Sequence, residues 1–211
     1  MKVALILGDS PIIQTIEKYI PNLLFLYPSL GINRIIRKFQ TTKHIFVDYK
    51  ILPVANEFPN MPVITIKQNG SRVNKPKELK ELINVYSPYN NSFVKTINTD
   101  NIEVENSKGE LLWYGFSHDY AISYLIRKGY DMIVLVGTAD FIDGTHYVAN
   151  QEYFQRSNRL QNYSKQYIEY VNENIIPIYT VNPNPIINIP TITMEELITG
   201  VLNNDNRTNI L

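Results

Sequence analysis

Three short clusters hold the residue types that could do chemistry. Gly8-Asp9-Ser10-Pro11 follows an apolar run and precedes a helical pattern. Backbone N–H groups and the helix dipole at such a junction suit a phosphate. A plainly capped turn uses the same residues. The second and third glycines of a dinucleotide fingerprint are absent, as is the lysine of a P-loop. Ser117-His118 repeats the arrangement at a second helix start. Ser117 is the expected N-cap there, and His118 either faces solvent or joins Ser117 at a bound anion. The third cluster, Asp140, Asp143 and His146, lies just beyond the apolar run Met132–Val136. His146 is a candidate general acid or base near neutral pH, with Asp143 as the alternative base. The bland reading of this cluster is a loop with two solvated carboxylates and a surface imidazole. His44, His118 and His146 lack metal-ligand spacing, so no metal site is expected. A divalent ion on Asp140 or Asp143 has no motif to support it.

The elements that must position these clusters follow from apolar periodicity. Val3–Leu7 and Met132–Val136 are continuous apolar runs of strand length, as in strands buried on both faces of a parallel sheet. Further strands are expected at Leu23–Leu26, His44–Val47, Val63–Lys67 and Ile175–Val181. Ser10 is placed to cap the first helix, with Pro11 at its first position. A short basic helix is expected over Arg34–Phe39 and a long polar one over Tyr153–Asn174. Between Ser117 and Gly129 an amphipathic helix should end on a left-handed glycine. Thr193-Met-Glu-Glu196 is a capping-box pattern that should start a last short helix. The Asn-, Pro- and Ser-rich segment at about 69–110 reads as an insertion or lid, with a helix at Pro76–Asn84 and a hairpin at Ile102–Trp113. Alternating strands and helices make a parallel sheet with helices on both faces the economical solution, in one domain over residues 1–211. In such sheets ligands bind beyond the carboxyl ends of the strands.

Composition narrows the function classes. The 211 residues are 44% hydrophobic and 19% charged, ample for one core. The formal net charge is zero, so the basic field that drives nucleic-acid binding is missing. There is no cysteine, which excludes disulfides, thiolate metal sites and a cysteine nucleophile. No run of about 18 apolar residues suggests a membrane span, and the N-terminus lacks the form of a signal peptide. A cytoplasmic protein is expected. Abundant Asn, Ile, Lys and Tyr suit a low-GC bacterium or a bacteriophage, in the latter case with a virion role open.

Gly8-Asp9-Ser10, Gly137-Thr-Ala-Asp140 and Asp143-Gly-Thr-His146 resemble, in order, three blocks of the Gly-Asp-Ser (SGNH) hydrolase family. That resemblance implies Ser10 as nucleophile, His146 as base and Asp143 as orienting group. The spacing opposes it. The family's last two blocks are separated by strands and helices, whereas here they are nearly adjacent. Ala139 also stands where the family has an oxyanion-hole Asn.

A broader ordered set is Leu7-Gly-Asp-Ser-Pro11, Gly31-Ile-Asn33, Ser117, Gly129-Tyr130, Ile133–Val136, Gly137-Thr-Ala-Asp140-Phe141, Gly144-Thr-His-Tyr147 and Ile178-Tyr-Thr-Val-Asn-Pro-Asn184. It resembles the bacterial family 42 sialyltransferases and the related Maf-type proteins. The resemblance spans most of the chain outside about 69–110. It implies an α/β, Rossmann-like, mostly parallel sheet with a lid-like insertion. It also implies a cytidine-monophosphate sugar as donor substrate and a glycan or small molecule as acceptor, with no firmly implied cofactor. Carried over by position, Gly8, Asp9, Asn33 and Ser117 would line the nucleotide, and their neighbours Ser10 and His118, with Asp140 beyond the Met132–Val136 run, join them as candidate nucleotide-binding residues. Asn182 and Asn184 would lie near the nucleotide or sugar, and Tyr147 would stabilise the leaving phosphate. Three departures stand out: Asp9 replaces the family's loop Asn, Phe141 replaces a phosphate-binding tyrosine, and no histidine occurs near Arg159 or Leu160, where the family's catalytic one falls. A non-catalytic structural or interaction protein of the same fold, in a homo-oligomer or larger assembly, is the alternative from another class.

Overall fold

The computed structural model describes residues 1–46, 54, 57–58, 63–65, 116–139, 144–145, 152–153, 158–181, 184 and 186–199. The expected insertion at about 69–110, its helix Pro76–Asn84 and its hairpin Ile102–Trp113 lie outside them.

Six strands form one sheet: β1 (Val3–Leu7), β2 (Ser29–Ile32), β3 (Lys43–Phe46), β4 (Val63–Thr65), β5 (Met132–Val136) and β8 (Ile178–Thr180). Their order is β4-β3-β2-β1-β5-β8, and every neighbouring pair is parallel. β6 (Gly144–Thr145) and β7 (Glu152–Tyr153) form a separate antiparallel pair. The expected α/β parallel sheet is therefore present. Among the described residues the α-helices are α1 (Ile13–Ile16), α2 (Ile20–Leu26), α3 (Ser117–Arg127), α4 (Asn158–Asn174) and α5 (Met194–Thr199).

Both faces of the sheet are covered, which explains the continuous apolar runs. Ala4, Ile6, Ile133 and Leu135 point to one face, where they meet Ala121, Ile122 and Leu125 of α3 and Tyr167, Ile168 and Val171 of α4. Val3, Leu5, Leu7, Val134 and Val136 point to the other, against Ile13, Ile16, Ile20, Leu23 and Leu197 of α1, α2 and α5. Each such Val, Leu or Ile side chain contributes about 1.5–3 kcal/mol on full burial. Tyr27 fastens the second layer, its hydroxyl donating to the Leu197 carbonyl at 2.8 Å.

Four local expectations change. Leu23–Leu26 lies in helix α2 rather than in a strand, and the second strand is Ser29–Ile32. A four-residue apolar run cannot show its period. The burial of Ile20, Leu23 and Tyr27, with Phe25 90% exposed, is helical. The basic helix is a 3₁₀ turn over Asn33–Arg37. The first helix begins at Ile13, after a turn at Ser10–Ile12, so Ser10 closes a turn instead of capping a helix that starts at Pro11. Tyr153 belongs to β7, and α4 begins at Asn158.

Other local signals hold. Gly129 has φ 70°, with Gly129 N–H donating to the Ile126 carbonyl and Tyr130 N–H to that of Leu125, a Schellman ending for α3. Thr193 and Glu196 form the reciprocal capping box. Glu196 N–H donates to Thr193 Oγ1 at 3.1 Å, and Thr193 N–H to Glu196 Oε2 at 2.8 Å. Among the described residues no helix is long and apolar enough to cross a membrane.

His44 sits inside β3 with no exposed surface. Burial lowers its pKa to about 3, against a smaller opposing effect of a hydrogen bond from the imidazole to the Asn33 backbone. The folded value lies below the unfolded value of about 6.5, so the unfolded chain takes up a proton first. The stabilisation is complete above about pH 6.5 and is lost as pH falls toward 3. Urea unfolding should therefore show about 2 kcal/mol less stability from this residue at pH 5 than at pH 7. His44→Leu should remove that increment from the pH slope. An unchanged slope would refute the assignment.

Candidate functional site

The chain leaves β1 for β2, β3 and β4 on one side, then returns to lay β5 on the other. The crevice beyond β1 and β5 is thus the topological switch point. The two loops there are locked together. Gly8 N–H donates to the Val136 carbonyl at 2.9 Å, and Ser10 N–H to the Gly137 carbonyl at 3.0 Å. Gly8 is required by close approach, since a Cβ would lie 2.2 Å from the Gly137 oxygen. Gly137 is required twice over. Its φ is 60°, and a Cβ would lie 2.3 Å from Ile13 Cδ1. Two amides of the β1 loop therefore bind β5. Asp9 is buried beside them at 8% exposure.

Asn33 follows β2 directly and holds φ 55°, a left-handed value that Asn tolerates better than most residues. Ser117 Oγ donates to Asn33 Oδ1 at 3.0 Å, joining the ends of β2 and α3 across 84 positions of sequence. Ser117 is consequently not the N-cap. Phe116 takes that place with extended backbone, φ −125° and ψ 154°. The capping carboxylate comes from within the helix, where Asp119 Oδ2 accepts the Phe116 N–H at 3.1 Å. With an aromatic side chain at the N-cap, the acidic residue at the third helical position supplies the acceptor.

Below that helix start lies a buried polar chain. Thr138 Oγ1 is 3.3 Å from His118 Nδ1, and His118 Nε2 is 2.9 Å from Ser164 Oγ. Ser164 Oγ donates to Asp119 Oδ1 at 2.6 Å. Asp119 and Ser164 have no exposed surface, and Thr138 and His118 only 5% each. The Phe116 ring stacks on the imidazole, centroids 5.2 Å apart and planes within 6°. Proton counting for a neutral imidazole beside an ionised carboxylate assigns one tautomer. An ionised carboxylate only accepts, so the one Ser164 proton goes to Asp119. Ser164 oxygen then accepts the His118 Nε2–H, which leaves the Nδ1 lone pair facing the Thr138 hydroxyl. Deeper still, Ser123 Oγ donates to the Asp119 carbonyl at 3.2 Å and lies 2.7 Å from the Tyr167 hydroxyl, whose pKa burial raises. That phenol stays neutral.

Asn184 is a clamp on the β5 loop. Its Nδ2 donates to the Ala139 carbonyl at 2.8 Å, while its Oδ1 accepts the N–H groups of Ile186 and Ile187. Ala139 itself holds φ 60°, a conformation costing about 1–2 kcal/mol for a residue with a Cβ.

Of the residues expected at the site, Gly8, Asp9, Ser10, Asn33, Ser117 and His118 gather at the carboxyl edge of β1, β2 and β5, and Asn184 reaches it through Ala139. Asp140, Phe141, Asp143, His146, Tyr147 and Asn182 lie outside the described residues. Sequence reasoning missed Thr138, Asp119 and Ser164 as members of one cluster. The adjacency His118-Asp119 at a helix start was the one available signal; Ser164 in mid-helix offered none. Among the described residues no three His, Asp or Glu side chains gather as a metal site.

Fold and site together define an open, doubly wound, all-parallel α/β domain with polar residues gathered at its switch point. Comparison with known proteins finds no family model, no curated protein and no solved structure that matches this chain.

Proposed function

We propose that the protein binds a nucleotide sugar beyond β1 and β5 and transfers the sugar to a glycan or small-molecule acceptor. The observation carrying this reading is the Ser117–Asn33 hydrogen bond at the carboxyl edge of the sheet. It ties a helix start, with its positive dipole end, to the strand ends beside the switch point. A phosphate there would meet hydroxyl, amide and helix dipole together. Inverting transfer needs a base for the acceptor hydroxyl, for which His146 or Asp143 is the candidate by residue type, and by resemblance Tyr147 would steady the leaving phosphate.

The test is thermal unfolding with CMP, CDP, UDP, GDP and a CMP-sugar at millimolar concentration. A ligand at 100 times its Kd adds about 2.7 kcal/mol, a rise of about 5–10 °C for a chain of this size. Ser117→Ala should weaken the apparent affinity at least tenfold, which cuts that rise to about half or less. No rise with any nucleotide would end the transferase reading.

One observation favours a second reading, a non-catalytic protein of this fold. Gly8 and Ser10 amides are committed to β5, and a buried Asp9 carboxylate stands beside them. A carboxylate there opposes a phosphate. Absence of any nucleotide shift in a cooperatively folded sample is the result this reading expects.

A further inference from the structure

We propose that Thr138 is a base-activated nucleophilic hydroxyl, with His118 as its general base and Ser164 and Asp119 positioning the imidazole, and that it acts on carboxylic esters or similar acyl donors. The inference does not rest on nucleotide binding. Its basis is the directed chain from Thr138 to Asp119. The Thr138 hydroxyl faces Nδ1 at 3.3 Å, Nε2 faces Ser164 Oγ at 2.9 Å, and Ser164 faces the carboxylate at 2.6 Å. In the neutral-imidazole tautomer every proton in that chain points toward Asp119, as deprotonation of Thr138 requires. Separations slightly above 3.2 Å between nucleophile and base are common before substrate binds. The imidazolium formed would lie 3.4 Å from Asp119 Oδ1, a fully buried carboxylate that stabilises it.

Backbone geometry singles out the same residue. Thr138 lies between Gly137 at φ 60° and Ala139 at φ 60°, so the chain turns sharply on both sides of it at the carboxyl end of a central strand. Left-handed non-glycine residues of this kind cluster at functional sites. Gly8 makes room alongside, since a Cβ there would come within 2.6 Å of Thr138 Cβ. Ser10 is arranged differently, its Oγ accepting the Ile12 N–H at 3.4 Å to close a turn. The Thr138 and Ser164 hydroxyls both meet the His118 imidazole. Ser164 is fully buried in mid-helix and directs its proton to Asp119, whereas Thr138 lies two residues beyond β5 at the carboxyl edge of the sheet.

In the acylation step the Thr138 Oγ–carbon bond forms and the Oγ proton passes to His118 Nδ1. The ester C–O bond then breaks, and the leaving alkoxide takes the proton back from Nδ1. Water repeats the sequence on the acyl-threonine. It gives a proton to Nδ1, and the Oγ–carbon bond breaks as Oγ is reprotonated.

An alkyl fluorophosphonate tests the idea without knowledge of the natural substrate. Oγ–P would form, P–F would break, fluoride would leave and the proton would go to Nδ1. Intact-mass and peptide-mapping spectrometry of the full chain should show one adduct, on Thr138. Thr138→Val should abolish it, and Thr138→Ser should keep it at the same position. His118→Gln should slow it at least a hundredfold, the usual scale of general-base assistance. Ser164→Ala should displace the midpoint of the rate's pH profile, which a purely structural serine would leave in place. No adduct on the folded wild-type chain, an adduct on another residue, or equal labelling of Thr138→Val would overturn the proposal. Nucleotide-induced thermal shifts are read separately, so either idea can fail alone.

Discussion

Asp119→Ala is expected to destabilise the protein by about 3–5 kcal/mol, the range for removing one partner from a buried charged network. The carboxylate has no exposed surface and accepts from Phe116 N–H and Ser164 O–H, with His118 Nε2 at 3.4 Å. Truncation strands a backbone N–H at the start of α3, a serine hydroxyl in the middle of α4 and the imidazole between them. Each stranded group costs about 1–3 kcal/mol, but they share one network, so the losses do not add fully. Asp119→Asn should lose less. Its carbonyl oxygen still accepts one donor, and the Ser164 hydroxyl can turn to accept from the new amide. Urea denaturation at pH 7 measures both, with an unchanged m value showing that the folded state is the one affected. A loss below about 1 kcal/mol for the alanine variant would mean that the carboxylate does not hold these groups.

Gly8→Ala is expected to cost about 3 kcal/mol or more, from overpacking together with lost hydrogen bonds. The new Cβ would meet the Gly137 oxygen at 2.2 Å and the Gly137 carbonyl carbon at 3.0 Å, both backbone atoms that cannot rotate away. Relief requires the β1 and β5 loops to part, which breaks the Gly8–Val136 and Ser10–Gly137 hydrogen bonds. Gly129→Ala is the control. Nothing lies within 4 Å of a Cβ there, so only the φ of 70° opposes it, at about 1–2 kcal/mol. Thermal or urea unfolding of the pair should rank Gly8→Ala clearly lower. Equal losses would show that the two loops are not packed as described.

Much of the fold was legible in short stretches of sequence. Val3–Leu7 and Met132–Val136 announce strands covered on both faces because five consecutive apolar residues leave no polar side for water. Thr193-Met-Glu-Glu196 announces a helix start because its hydrogen bonds close within four residues. Gly129 announces a helix end because glycine tolerates φ 70°. Where the local signal was degenerate, the packing decided. Leu23–Leu26 could satisfy either a strand or a helix, and the burial of Ile20 and Tyr27 on the same side settled it as α2.

The site divides along the same line. Sequence alone placed Gly8-Asp9-Ser10 and Ser117-His118 at the turns following a strand and opening a helix, since turn and cap residues are local requirements. Tertiary structure alone turned Ser117 from a cap into a partner of Asn33, 84 positions away, and set Ser164, 46 positions from His118, between that imidazole and Asp119. A serine in the middle of a polar helix has no sequence signature for such a role. Its partner is chosen by the packing of α4 against α3 on the sheet, and that contact forms only when the apolar faces of both helices are buried together.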